Sequence, residues 1–69
     1  MKWVVIEQWN ALAPKLDGSV VQKTRVLART VCDHESMARL SALALQDIEN
    51  ASPAGGTRRY SHVEYLDLD

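Results

Sequence analysis

The hydrophobic pattern of the chain reads first as helical. Placed on a wheel at ~100° per residue, Val5, Ile6, Trp9, Leu12 and Ala13 fall within an arc of ~120°, with Glu7, Gln8 and Asn10 outside it. Pro14 disfavours helical geometry at Ala13, so this first element is expected to stop there. A rival reading makes "WVVI" a short strand, because Val and Ile are β-branched. Next, "PKLDGS" reads as a turn through Pro14, Asp17 and Gly18. Ser19 with Gln22 three residues on has the form of a capping box. Beyond it, Val20, Thr24, Leu27, Ala28, Val31 and Cys32 share one helical face, opposite Gln22, Arg25, Arg29 and Asp33.

A further apolar face collects Met37, Leu40, Ala44, Leu45 and Ile48, against Arg39, Gln46 and Asn50. No Gly or Pro interrupts residues 20–50, yet the two arcs are rotated by ~110° from each other on one straight helix. A break near Asp33 resolves the mismatch. Asp33 suits an N-cap and Glu35 suits the first turn, while Cys32 and Met37 are spaced as a hydrophobic staple. The expected fold is therefore mainly α: a small three-helix domain containing a helical hairpin, about 19–32 and 34–51. Residues 1–52 form the helical domain. Residues 53–69 are a linker, "ASPAGG", and a C-terminal extended arm or short strand, "RRYSHVEYLDLD", with no clean alternation.

Composition narrows the class. A chain of 69 residues is one domain of marginal stability. Its single Cys leaves no internal disulfide to staple it, so a bound partner or a homodimer is the expected support. The net charge of −1 argues against an electrostatic nucleic-acid binder, which shows a basic excess. The N-terminal apolar run is too short for a signal-peptide core or a membrane span, so the expectation is a cytoplasmic protein with a reduced thiol and no membrane partner.

The stretch "RTVCDHESMARL" carries the candidate chemistry. Helical metal ligands converge at spacings of three or four, whereas Cys32, Asp33, His34 and Glu35 are consecutive and fan around the axis. A Cys nucleophile needs an imidazole within about 3 Å, and His34 two residues away lies nearly opposite it on a helix. The reading is a core Cys, a capping Asp and a solvated His34, with no enzyme, metal, cofactor or small-molecule substrate.

Two functional classes remain. "LARTVCDHESMARL" has the outline of a helix-turn-helix, with "GGTRRYSHVEY" as the wing of a winged variant. Arg25, Arg29, Arg39, Arg58 and Arg59 are then the nucleic-acid candidates. Against it, Asp33 stands where the motif wants an apolar residue. Glu35, Asp47 and Glu49 on or beside the recognition face repel phosphate. The leading expectation is a non-enzymatic protein-binding regulator or inhibitor that docks on a larger protein, a size that suits a phage or mobile element. Apolar or aromatic residues that fit no single-domain face supply the interface candidates: Trp3, Val26, Leu43, Tyr60 and Tyr65.

Overall fold

A computed structural model describes residues 1–12, 20–53 and 55–66. The elements are β1 (Lys2–Leu12), β2 (Val20–Cys32), α1 (Glu35–Asn50) and β3 (Arg59–Tyr65). The strands form one antiparallel sheet in the order β2-β1-β3. The fold is thus a three-stranded sheet with one helix, and the expected mainly-α helical hairpin is overturned. Both segments read as the first two helices are strands. The residues behind the turn and the capping box, Pro14 to Ser19, lie outside the described residues.

The physical reason lies in what each strand buries. Val4 and Val5 are adjacent and project to opposite faces of the central strand, yet both are buried. A strand covered on both sides reads as a continuous apolar run, which periodicity alone cannot tell from a helix. Six of the thirteen residues of β2 (Val20, Val21, Thr24, Val26, Thr30, Val31) are β-branched, and these fit a pleated surface better than a helix.

Between β1 and β2 the register runs from Leu12↔Val20 to Val5↔Leu27, then jumps to Trp3↔Cys32. Five steps along β2 meet two along β1, so β2 carries three extra residues there. The jump would orphan the buried amide of Val5. Thr30 replaces the missing ladder partner: its hydroxyl accepts from Val5 N–H at 2.9 Å and donates to the Leu27 carbonyl at 2.6 Å.

The break expected at Asp33 is present, one residue later than the cap assigned to it. His34 is the extended residue before α1, and its carbonyl accepts from the amides of Met37 (3.1 Å) and Ala38 (3.3 Å). No side chain caps the helix there; Asp33 instead lies 4.0 Å from Lys2 Nζ. After α1, Gly55 and Gly56 take left-handed φ values of 60° and 72° and turn the chain back into β3. A Cβ on Gly56 would also sit 3.0 Å from Asn50 Oδ1. The C-terminal arm, expected as an extended segment or short strand, is β3, paired along β1 from Lys2↔Tyr65 to Gln8↔Arg59.

α1 lies on the face that carries Val5, Glu7, Tyr60 and His62, with Glu35 Oε1 3.3 Å from His62 Nε2. Its sheet-facing side is made of small residues: Ala38 and Ala42 are buried, with Leu45 half-buried beside them. This corrects the helical face expected to be core. Met37, Leu40 and Ile48 point outward, Leu40 at 62% and Ile48 at 68% exposure. Among the described residues no helix lies over the opposite face of the sheet. The Cα trace spans 43 × 33 × 13 Å and its radius of gyration is 14.1 Å, against roughly 11 Å for a globular chain of this length.

Candidate functional site

The polar centre of the molecule is built by strand register. Glu7 on β1 faces Arg25 on β2 and Tyr60 on β3 directly across the two ladders. Its side chain is 5% exposed, and every partner is charged or strongly donating. Arg25 Nη2 lies 2.8 Å and Arg58 Nη1 2.9 Å from the same oxygen, Oε1. The Tyr60 hydroxyl donates to Oε2 at 2.6 Å. Arg58 also sits 4.7 Å above the Trp9 ring, a cation–π contact.

Burial pushes the Glu7 carboxyl up. The Tyr60 hydroxyl and the two guanidinium groups outweigh it and hold the group below its ordinary value of 4.5. The same bond raises the Tyr60 phenol above 10.0, since ionised Tyr60 could not donate to Glu7 and would face its charge in a buried setting. Chemically the cluster is saturated: both carboxylate oxygens are engaged and the phenol is held neutral. It fastens three strands together rather than leaving a group poised to transfer a proton.

The candidate groups Cys32 and Glu35 and the second imidazole, His62, do not gather into one site. Cys32 is a free, half-buried thiol whose Sγ donates to the His34 carbonyl at 3.3 Å. His62 is taken by Glu35 and by the Trp3 ring, 5.9 Å away and tilted at 47°. Among the described residues no group of three or more His, Cys, Asp or Glu is placed to hold a metal ion. A depression of about 220 Å³ beside Trp9 is lined by amides, a hydroxyl and Arg59, with no carboxylate, imidazole or thiol.

The interface candidates separate into two kinds. Trp3 and Tyr60 are half-buried and committed, one to His62 and the other to Glu7. Val26 and Leu43, each 53% exposed, and Tyr65 at the end of β3 stand on the surface. The nucleic-acid candidates do not form one face. Arg25 and Arg58 converge on Glu7, Arg29 is exposed on β2, Arg39 is exposed on α1, and Arg59 donates to the Gly56 carbonyl at 3.1 Å. The helix-turn-helix outline fails at its first helix, because Val20–Cys32 is a strand.

Two features escaped the sequence reading. One is the outer stripe of α1, in which Met37, Leu40 and Ile48, expected in the core, join the interface candidate Leu43, all more than half exposed. Ala38, Ala42 and Leu45, spaced at i, i+4 and i+7, were the sign that a second, smaller face was available for packing. The other is the difference between the two sheet edges. Tyr60 N–H and Arg58 C=O project the same way from β3, away from β1. The Gln46 carboxamide meets both, accepting from Tyr60 N–H at 3.0 Å and donating to Arg58 C=O at 3.0 Å. Glu49 Oε1 adds bonds to Arg58 N–H at 3.3 Å and Thr57 Oγ1 at 3.2 Å. The edge of β3 is thereby closed by helix side chains at its N-terminal end. The edge of β2 has no such cover among the described residues.

Among the described residues no helix is long and apolar enough to cross a membrane. No known protein family matches the chain, and neither a curated protein nor a solved structure is detectably similar to it.

Proposed function

We propose that this chain is a non-enzymatic protein-binding module that docks on a larger protein, in the cytoplasm, and regulates it. The observation that carries this reading is the outer stripe of α1. Four large apolar side chains (Met37, Leu40, Leu43, Ile48) remain more than half exposed, while the buried apolar core holds Val4, Val5, Ala38 and Ala42. A stripe of this kind leaves on the order of 400 Å² of contiguous apolar surface in water, the size at which a patch on a small protein marks a contact site. The free thiol of Cys32 suits a reducing compartment.

A larger protein suits the stripe better than a second copy does. Stripe against stripe buries roughly half of the ~800 Å² per partner of a standard interface. A groove that takes the helix along its whole length also covers Ser36 and Asp47 within the stripe and Arg39 beside it, as helix-in-groove recognition does.

The test is a photo-reactive amino acid at Leu43, with exposed Asn10 on the sheet face away from α1 as the control position, irradiated in the native host. The expected result is one discrete cross-linked protein at Leu43, absent at Asn10 and lost on Leu40→Glu. Identical adducts at both positions, or a cross-link to a second copy alone, would overturn the reading.

A further inference from the structure

The unpaired edge of β2 presents a second surface, independent of α1. Tyr60 directs its backbone groups outward, so Glu7 opposite it directs its own toward β2, and Arg25 across from Glu7 directs its own back. The Val5 amide, which reaches toward β2 to meet Thr30, fits the same alternation. Val20, Gln22, Thr24 and Val26 therefore send their N–H and C=O groups off the free edge. No described residue pairs with them. A row of four outward residues on a 13-residue edge strand is a template for another strand.

The side chains specify which strand. β2 carries Lys23, Arg25 and Arg29 and no acidic residue. Arg25 is shared with Glu7, but its side chain is 60% exposed. A shallow concavity of about 390 Å³ runs along the strand and is lined by Arg25, Val26, Leu27, Ala28 and Arg29, so cationic and apolar side chains stand side by side. Val20, Val21 and Val26 leave large apolar surfaces exposed on both sides of the strand. A second copy of β2 is disfavoured: antiparallel self-pairing near Val26 sets Lys23 and Arg29 against their own kind, and like charges across strands repel.

We infer that the free edge of β2 binds an extended, acidic segment of a partner protein by strand addition, in which acidic side chains alternate with apolar ones. The backbone of Val20, Gln22, Thr24 and Val26 supplies the ladder. Lys23 and Arg29 select negative charge, and Val26 with Ala28 receives the apolar side chains.

A capped octapeptide of alternating valine and glutamate is the probe, titrated into ¹⁵N-labelled protein, with the valine–lysine peptide as its counterpart. The expected result is slowed exchange at the Gln22, Thr24 and Val26 amides. Affinity for the lysine peptide should be at least tenfold weaker, and higher salt should weaken glutamate-peptide binding severalfold. Thr24→Pro is the decisive variant. Its lost N–H faces solvent, which an edge strand tolerates, so circular dichroism should keep the sheet while peptide affinity falls tenfold or more. Equal binding of the two peptides, or undiminished binding by a folded Thr24→Pro protein, would overturn the inference. So would a single-stranded oligonucleotide that shifts the Gln22 and Val26 amides in wild type and Thr24→Pro alike. Leu40→Glu leaves this edge untouched, so failure here and failure of α1 docking are read separately.

Discussion

The two outer strands of the sheet flank the same central strand and meet opposite fates. β3 lies under α1, and at its N-terminal end the Tyr60 amide and the Arg58 backbone groups are met by the Gln46 carboxamide and the Glu49 carboxylate. β2 runs almost twice as long, its first seven residues are exposed, and its outward groups have no partner among the described residues. Natural sheets close their edges or charge them. This molecule does one on each side, with amide and carboxylate side chains at the N-terminal end of β3 and Lys23, Arg25 and Arg29 on β2. An edge closed by the chain's own side chains stabilises the fold. An edge left open and charged rejects its own copy while staying available to a complementary strand.

Glu7 holds the two sides together, so its loss should have the largest effect. Glu7→Ala leaves Tyr60 without its acceptor and sets Arg25 and Arg58 against each other; about 3 kcal/mol of stability should disappear in urea titration. A change under about 0.5 kcal/mol would show that the edges are coupled by something else. The pH profile sharpens the same point. The Glu7 carboxyl is depressed in the fold, so its contribution is present above its ordinary 4.5 and is lost as pH falls through the lower folded value. The Tyr60 phenol is raised, so its contribution is present below 10.0 and is lost as pH rises through the higher folded value. Glu7→Gln should flatten the acid limb, and Tyr60→Phe the alkaline one, as followed by thermal melts across pH.

Smaller losses separate the two sides. On the β2 side, Thr30→Val removes the hydroxyl that satisfies the buried Val5 amide and should cost about 2 kcal/mol. On the β3 side, Gln46→Ala should cost about 1 kcal/mol and release the Tyr60 amide to exchange. Equal exchange at Tyr60 in both proteins would mean that Gln46 does not close the edge. Lys23→Val should change stability by under about 0.5 kcal/mol yet raise self-association by sedimentation, because it removes a charge that guards the open edge. A strictly monomeric Lys23→Val protein would remove that role.

The sequence reads unevenly along the same division. The corner at Asp33 and the helix from residue 34 to 51 are legible, because mismatched apolar arcs demand a break and the segment after it has one dominant period. The strand character of the C-terminal arm is also open to view in Tyr60, Val63 and Tyr65. β1 and β2 are not. Val4 and Val5 fill both faces of β1 and erase its alternation, and β2 is exposed on so much of its length that burial leaves no pattern on it. Helical arcs then arise from residues that the strands divide between two faces. Val26, which fitted no helical face, was the sign that the helical period was wrong. The stripe of Met37, Leu40 and Ile48 was visible as apolar and misread as core, since a sequence shows which face is apolar and not whether anything covers it. Glu7 gave no signal at all: its partners come from residues 25, 58 and 60, brought together by register alone.

The contrast between the edges is tested most directly by amide hydrogen exchange on the free protein. The Tyr60 amide, turned outward from β3 but held by Gln46, should exchange about a hundredfold more slowly than the Thr24 and Val26 amides on the open edge of β2. Protection of Thr24 and Val26 equal to that of Tyr60 would mean that both edges are closed in solution and would contradict the open edge on which the strand-addition proposal rests.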